Sequence, residues 1–235
     1  MDALILAAGR GTRMAGIDKP KCLLDIGGTS IINNQIKNFR NAGIDRIFIV
    51  TGYNSELIHS HLNDDFTFLH NTEYANTNNL YSVWTARDSL DDDFICVYGD
   101  LLFHKEILDK CIQNNSDICL VIEKNIRSET MKVRIENNLI VEVNKNISED
   151  LADGNFIGMA KFKKSMIPVL FNEISLLVEN GNLNSYYTSA IESLIQKNKK
   201  INFVETNNLP WMDIDEEHEL AEAKKIYQNM NRVDY

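Results

Sequence analysis

The sequence has few prolines and no long apolar stretch. Its 235 residues include three prolines, and neither a Pro/Gly/Ser-rich linker nor an internal repeat occurs. A membrane-spanning helix needs about 18 or more consecutive apolar residues, and no such run is found. The first residues, Met1–Leu6, lack the basic start of a signal peptide and have the apolar character of a strand. We therefore expect a single domain, 1–235, with no membrane span and no signal peptide.

Positive charge is also scarce. Lysine and arginine total 24 and aspartate and glutamate total 34, which leaves a net charge of −10. An acidic chain binds nucleic acid and anionic lipid poorly, because both are polyanions. We expect neither nucleic acid nor a membrane as a partner, and any phosphate must be held locally by a few cations and backbone amides.

Cysteines are few and scattered. They have no Cys-x-x-Cys spacing and lie mostly in apolar runs, where a cysteine is most often a small buried residue. The four are Cys22, Cys96, Cys111 and Cys119. We expect a reduced, cytoplasmic protein. Because no His-x-x-x-His or Cys/His cluster occurs, we expect no zinc site.

Apolar strand-like runs alternate with helical segments over the first half. Strands are predicted at Ala3–Ala7, Arg46–Val50, Phe66–His70, Phe94–Tyr98 and Asp117–Glu123. Helices are predicted from a Ser30 cap to Gly43 and at Ser55–Leu62, Asn79–Leu90 and Lys105–Ile112. This alternation predicts an α/β fold with a mostly parallel, doubly wound sheet.

The pattern then changes to alternating strands. Lys132–Glu136 and Leu139–Val143 flank Asn137-Asn138, a two-residue loop suited to a type I′ hairpin. The elements predicted after it are a strand at Phe156–Phe162, helices at Lys164–Glu179 and Ser185–Lys197, a strand at Ile201–Glu205 and a helix at Glu216–Met230. We predict a second lobe that carries the hairpin.

The most informative segment is the glycine-rich loop Leu6-Ala7-Ala8-Gly9-Arg10-Gly11-Thr12-Arg13-Met14, directly after the first strand. Open α/β sheets bind ligands at the carboxyl ends of their strands, and small residues there let the backbone approach. Amides in such a turn form a concavity for phosphates. Arg13 and Lys21 add cations, so the combination suits a triphosphate. The loop residues expected to contact a nucleotide are Leu6, Ala8, Gly9 and Gly11.

The spacing in this loop excludes two common phosphate-binding motifs and matches a third. Neither the G-x-G-x-x-G of dinucleotide-binding proteins nor the G-x-x-x-x-G-K-[ST] of P-loops occurs. The segment instead matches L-A-A-G-x-G-[ST]-R-[ML] followed by Pro20-Lys21. In this the chain resembles, over nearly its whole length, the nucleotidyltransferases that activate sugar phosphates and other small phosphoesters as nucleoside diphosphate derivatives. Val97–Asp100 is similar to the family's Gly-Asp strand end, and Trp211–Asp215 to its second acidic motif.

The resemblance implies a mechanism. A phosphate oxygen of the acceptor attacks the α-phosphorus of a nucleoside triphosphate and expels pyrophosphate, with Arg13 and Lys21 as the catalytic cations. Asp100 and Asp215 are expected to hold Mg²⁺, and Asp213 competes with Asp215 for the second position.

Two further segments resemble the family. Asn71–Ser82 reads N-x-x-Y-x-x-x-N-N-x-Y-S and is similar to the corresponding segment of CTP:phosphocholine cytidylyltransferases and similar enzymes, which implies that Asn79 and Ser82 contact the pyrimidine. The segment after the hairpin resembles the family's acceptor side, which implies that Lys145 meets the acceptor phosphate. Three aromatic residues are candidates for the acceptor pocket, although such residues are more often core: Tyr186, Tyr187 and Trp211.

The resemblance therefore implies a Rossmann-like, GT-A-type core with a nucleotide-binding half at 1–125 and an acceptor-binding half at 126–235. The expected reaction transfers CMP from CTP to a small phosphorylated acceptor, such as phosphocholine, 2-aminoethylphosphonate or phosphoglutamine. The expected product serves cell-surface polysaccharide or lipid decoration, and a homodimer is compatible with this function. Two alternatives stay open: a hexose-1-phosphate uridylyl- or thymidylyltransferase, and a non-catalytic nucleotide-binding regulatory module.

Overall fold

The computed structural model describes residues 1–11, 18–62, 66–128 and 130–232. Of residues 231 and 232 it describes the backbone alone. Strands and α-helices alternate along it as β1 (Asp2–Ala7), α1 (Ile31–Asn41), β2 (Ile47–Thr51), α2 (Ser55–Leu62), β3 (Thr67–His70), α3 (Asn79–Thr85), β4 (Phe94–Tyr98), β5 (Leu101–Phe103), α4 (Lys105–Gln113), β6 (Ile118–Glu123), β7 (Lys132–Glu136), β8 (Leu139–Asn144), β9 (Gly154–Phe162), α5 (Ile167–Glu179), α6 (Thr188–Gln196), β10 (Asn202–Glu205), β11 (Trp211–Asp213) and α7 (Glu219–Arg232). None of the described helices combines the length and the apolar character needed to cross a bilayer.

A single large sheet organises these elements. Its strands follow the order β10-β6-β9-β4-β1-β2-β3, and the pairs β1–β2, β1–β4, β2–β3 and β6–β10 are parallel. Strand β9 runs antiparallel between β4 and β6. The expected mostly parallel α/β sheet is confirmed. Because β9 and β10 pair with β4 and β6, the two predicted halves share one sheet.

Both faces of the sheet are covered. All six residues of β1 are buried, as expected for a parallel strand that has helices on both sides. Leu4 and Leu6 belong to the apolar cluster that contains residues of α3, α5 and α6, and Ala3 and Ile5 to the cluster with residues of α1, α2 and α4. The doubly wound arrangement is therefore confirmed.

The predicted hairpin forms as β7 and β8. Asn137 and Asn138 have φ of 50° and 58°, and positive φ at both central positions is what a type I′ turn requires. The hairpin continues the large sheet through Lys132, which is paired with Asn155 of β9.

Several predicted helix ends were wrong. Helix α3 ends at Thr85 instead of Leu90. Just beyond this end, the Arg87 side chain stacks on the Trp84 ring and donates to the Trp84 carbonyl at 3.2 Å. That bond satisfies a carbonyl at the helix end. The helices predicted from Lys164 and Ser185 begin instead at Ile167 and Thr188.

The last helix, predicted from Glu216, begins at Glu219. The Glu219 carboxylate accepts from the backbone N–H of Asp215 at 2.7 Å and of Glu216 at 2.8 Å. These bonds satisfy amides that precede the helix. Asp215 and Glu216 therefore lie before the first turn of the helix and not within it.

Candidate active site

A cleft of about 590 Å³ opens at the carboxyl ends of β1 and β4. It brings together ten of the eleven residues predicted for the site, which come from distant parts of the chain. They are Leu6, Ala8, Gly9, Gly11, Lys21, Asn79, Ser82, Asp100, Lys145 and Asp215. The remaining one, Arg13, lies outside the described residues.

Two glycines let the cleft form where it does. A Cβ at Gly99 would lie 2.8 Å from the Leu6 carbonyl oxygen, which accepts the Gly99 N–H at 2.9 Å. Gly11 has φ of +59°, and a Cβ there would lie 2.9 Å from Cγ of Lys21. Glycine is therefore needed at both positions, at Gly99 for close backbone approach and at Gly11 to admit the Lys21 side chain.

Lys21 joins two carboxylates of the cleft. Its Nζ donates to Oδ1 of Asp215 at 2.5 Å and lies 3.6 Å from Oδ2 of Asp100. The lysine side chain is 13% exposed, and both carboxylates are about a quarter exposed. We call the 6–11 loop, Lys21, Asp100 and Asp215 the strand-end side of the cleft.

A small two-stranded sheet brings Asp215 to Asp100. Strand β11 runs antiparallel to β5, and the Ile214 N–H donates to the Asp100 carbonyl at 3.1 Å. Ile214 is fully buried in a third apolar cluster, which also holds Leu24, Leu102 and residues of α7. The sequence reading missed β5, because three residues after a strand carry too little pattern to predict a second one.

The buried side chain of Gln35 supports the other carboxylate. Its Nε2 donates to the carbonyls of Tyr98 at 2.8 Å and Leu101 at 2.7 Å. The Gln35 amide therefore holds the turn that carries Asp100, and this turn follows the buried strand β4 directly.

The electrostatics of the strand-end side favour a bound cation. Burial raises the pKa of Asp100, Lys21 opposes that rise, and the charges of Asp215 and Asp213 add to it. Burial also raises the pKa of Asp213. Neighbouring carboxylates that repel one another are stabilised by a cation placed between them.

These carboxylates fit Mg²⁺ as the family resemblance implies. Asp100 and Asp215 supply oxygen ligands that converge on the same lysine ammonium. No group of three or more candidate ligand side chains occurs within the described residues. Two carboxylates with phosphate oxygens and water are the usual environment of Mg²⁺ at nucleotide sites. Asp213, the alternative ligand, lines the same cleft, and its Oδ1 lies 3.8 Å from Nη1 of Arg127.

Ser82 lies at the wall of the cleft that the family resemblance assigns to the base. It is buried, and its Oγ accepts a hydrogen bond from Nδ2 of Asn71 at 3.2 Å. Oδ1 of Asn71 in turn accepts the Glu73 N–H at 2.9 Å, which fixes the orientation of the amide. A serine hydroxyl that accepts from one side can still donate a hydrogen bond to a ligand.

The carbonyl end of Asn79 is engaged by the backbone. Its Oδ1 accepts the backbone N–H of Tyr187 at 2.8 Å, just before α6. The Nδ2 group can serve only as a donor, and it also interacts with the Tyr98 hydroxyl.

Another part of the cleft lining carries two cations stacked on aromatic rings. Nζ of Lys145 lies 4.6 Å from the centroid of the Tyr186 ring, and Cζ of Arg127 lies 4.2 Å from that of Trp211. All four residues line the cleft, and we call them the aromatic side. Tyr187, the third aromatic candidate, is fully buried in the core. Sequence reasoning missed Arg127, because one arginine in a polar loop gives no signal.

Trp211 is fixed from behind by Glu123. This buried carboxylate accepts from Nε1 of Trp211 at 3.3 Å and from Oγ1 of Thr206 at 2.6 Å. Burial favours its protonated form, but these hydrogen bonds and that from the Asn125 N–H lower the pKa of Glu123. The carboxylate is thus held as an anion that orients the indole.

The chain is similar to known proteins over most of its length. The family model of the MobA-like NTP transferase domain matches residues 3–170. The chain is 28% identical to a CTP:phosphoglutamine cytidylyltransferase of Campylobacter jejuni, over 92% of this chain and 96% of that protein. It is 26% identical to the UTP–glucose-1-phosphate uridylyltransferase AglF of Haloferax volcanii, over 97% of each.

A solved structure shares the fold. The CTP:phosphocholine cytidylyltransferase of Streptococcus pneumoniae matches with a TM-score of 0.77 at 20% identity, over 96% of this chain and 98% of that one. The expected Rossmann-like fold and the expected resemblance of the chain to nucleotidyltransferases are therefore confirmed.

Proposed function

We propose a function on the premise that this chain belongs to the family of MobA-like NTP transferase domains. In this proposal it transfers CMP from CTP to a small phosphorylated acceptor and releases pyrophosphate. Phosphocholine, 2-aminoethylphosphonate and phospho-amino acids such as phosphoglutamine are the acceptor classes considered. The observation that carries the proposal is the convergence of Lys21, Asp100 and Asp215 in the cleft that also contains Ser82.

The chemistry joins two anions. A phosphate oxygen of the acceptor forms a bond to the α-phosphorus of CTP, and the bond to the departing pyrophosphate breaks. Lys21 and Arg13 neutralise phosphate charge, and the backbone amides of the 6–11 loop hold phosphate oxygens. Mg²⁺ held by Asp100 and Asp215 would supply further charge neutralisation on the phosphates. Lys145, on the aromatic side, binds the acceptor phosphate.

The preference for CTP over UTP follows from hydrogen-bond polarity. Position N3 is an acceptor in cytosine but carries a hydrogen in uracil. Because the Ser82 hydroxyl accepts from Asn71, its hydrogen is directed to an acceptor such as cytosine N3. The cytidylyltransferase relative supports this choice, while the uridylyltransferase relative makes the nucleotide the first property to measure.

The wider setting belongs to the same proposal. The family resemblance supports a cytoplasmic enzyme that works as a monomer or homodimer. It also supports a product used in cell-surface polysaccharide or lipid decoration.

The test is pyrophosphate release from each of the four nucleoside triphosphates, with Mg²⁺ and a panel of small phosphoesters, phosphonates and hexose 1-phosphates. We expect turnover with CTP and a non-sugar acceptor, and none with the Asp100→Ala control. Preference for UTP or dTTP with a hexose 1-phosphate would replace the proposal by the hexose-phosphate alternative. Nucleotide binding without turnover on any acceptor would support a non-catalytic regulatory module.

A further inference from the structure

Arg127 and Asp213 form a charged pair on the aromatic side of the cleft that the transfer reaction itself does not use. Nη1 of Arg127 lies 3.8 Å from Oδ1 of Asp213, and the two side chains are 45% and 40% exposed. Both line the same cleft as Lys145. Both side chains are partly buried and partly open to the cleft, so both groups can meet a ligand there.

The backbone around Arg127 is held by a buried side chain. Oδ1 of Asn155, which is fully buried, accepts the Arg127 N–H at 3.2 Å and the Thr130 hydroxyl at 2.8 Å. Nδ2 of Asn155 donates to the Asn125 carbonyl at 2.6 Å. Because the buried Asn155 amide makes these hydrogen bonds to one loop, it fixes the position of the Arg127 backbone in that loop.

Trp211 orients the Arg127 guanidinium, which stacks on its indole ring. The guanidinium carbon lies 4.2 Å from the centroid of the indole ring, and Glu123 fixes that ring. Among the described residues, Asp213 is the only carboxylate within 4.0 Å of Arg127. A stacked guanidinium with a single, long ion pair keeps donors for a planar carboxylate, which it binds through two parallel hydrogen bonds.

The aromatic faces do not suit a quaternary ammonium group. Such a group binds over an open aromatic face. Arg127 lies over one face of Trp211 and Lys145 over one face of Tyr186, so each ring already holds a cation of the chain. A choline headgroup that used either of these faces would have to displace that cation.

We infer that the acceptor carries an α-amino acid head in addition to its phosphoryl group, with its carboxylate on Arg127 and its ammonium on Asp213. This inference rests on the proposed function, because it names the acceptor class of the same cleft. An arginine–aspartate pair presents one positive and one negative group side by side, which is complementary to a zwitterion. Lys145 remains for the phosphoryl group.

The test uses acceptor pairs that differ only in the carboxylate. O-phospho-L-serine is compared with phosphoethanolamine, and O-phospho-L-homoserine with 3-aminopropyl phosphate, so that two lengths are covered. With CTP and Mg²⁺, we expect kcat/KM for the carboxylate-bearing member to be higher by about tenfold or more in at least one pair. Equal values within both pairs would overturn the inference.

The variant Arg127→Gln separates recognition from structure. We expect the carboxylate preference to fall toward one, mainly through the KM of the carboxylate-bearing acceptor. A purely structural role would lower both members of each pair equally and leave the ratio unchanged, which would also overturn the inference. The matched control is Arg134→Gln, since this arginine pairs with Glu136 and Glu142 on the hairpin. It should leave both the ratio and the rates unchanged.

Calorimetric binding of the same four compounds keeps this inference separate from the proposed function. Arg127-dependent binding of a phospho-amino acid without any turnover would overturn the proposed function and support the inference. Turnover of phosphocholine or phosphoethanolamine with no gain from a carboxylate would overturn the inference alone. The absence of both turnover and binding would overturn both.

Discussion

The two walls of the cleft are built in different ways. On the strand-end side, Asp100 and Asp215 lie two residues beyond the ends of the paired strands β4 and β11, and the Lys21 side chain is 13% exposed. On the aromatic side, the cations lie on loops, and the Arg127 side chain is 45% exposed. The first wall is held by backbone pairing and the second by side chains stacked on rings. In the proposed function, the strand-end side carries out the chemistry and the aromatic side selects the acceptor.

The largest effect is expected on the strand-end side. Asp100→Ala and Asp215→Ala should each lower kcat by about a thousandfold, because in the proposed mechanism each removes a ligand of Mg²⁺, whose charge would stabilise the transition state. Asp213→Ala should mainly raise the acceptor KM, since Asp213 faces Arg127. Steady-state kinetics at saturating Mg²⁺ measures the difference, and thermal unfolding verifies that each variant is folded. If Asp213→Ala lowered kcat while Asp215→Ala did not, Asp213 would be the metal ligand in place of Asp215.

Lys21 is the next most sensitive position. Lys21→Ala should lower kcat/KM for CTP by about a hundredfold, with kcat and KM both affected, because the ammonium meets phosphate charge before and during transfer. Lys21→Arg should not fully restore the rate, since a bulkier, forked cation does not take the place of a point charge. The control is Lys19→Ala, which removes a nearby cation that does not line the cleft. An equal loss in this control would show a general charge effect.

A smaller effect is expected at the base-reading positions. Ser82→Ala and Asn79→Ala should each reduce the kcat/KM ratio of CTP to UTP. An unmatched buried polar group costs about 1–3 kcal/mol, which is roughly tenfold to a hundredfold. Asn71→Ala should move the ratio in the same direction, because Asn71 orients Ser82. Thr85→Val is the matched control, since the Thr85 hydroxyl donates to the Tyr81 carbonyl. If Ser82→Ala and Asn79→Ala left the ratio unchanged, or changed it no more than Thr85→Val does, the assigned contacts would be wrong.

The smallest effect is expected at Lys145. Lys145→Ala should raise the acceptor KM about fivefold and leave the KM of CTP unchanged, because exposed cation–aromatic and ion-pair contacts contribute about 1 kcal/mol or less. Lys37→Ala, on the exposed face of α1, is the control. A loss of kcat as large as that of Lys21→Ala would mean that the two walls do not differ as described.

Local patterns predicted the strand-end side well. The loop after β1 was found because small residues and glycines follow an apolar strand, and the position of Asp100 was found because it follows the apolar strand β4. The aromatic side was predicted poorly. Lys145 was assigned from family resemblance, and Arg127 was missed, because its importance depends on Asn155 and Trp211, which lie far away in sequence.

The sequence by itself therefore determined the alternation of strands and helices, the type I′ hairpin and the position of the glycine-rich loop, since each depends on neighbouring residues. Only the tertiary structure decided which carboxylate joins Asp100. Lys21 and Asp215 are 194 positions apart, and Asp215 reaches the cleft because β11 pairs with β5 and Ile214 is buried beside Leu102. That pairing is set by how distant apolar side chains pack together, and no local pattern records it.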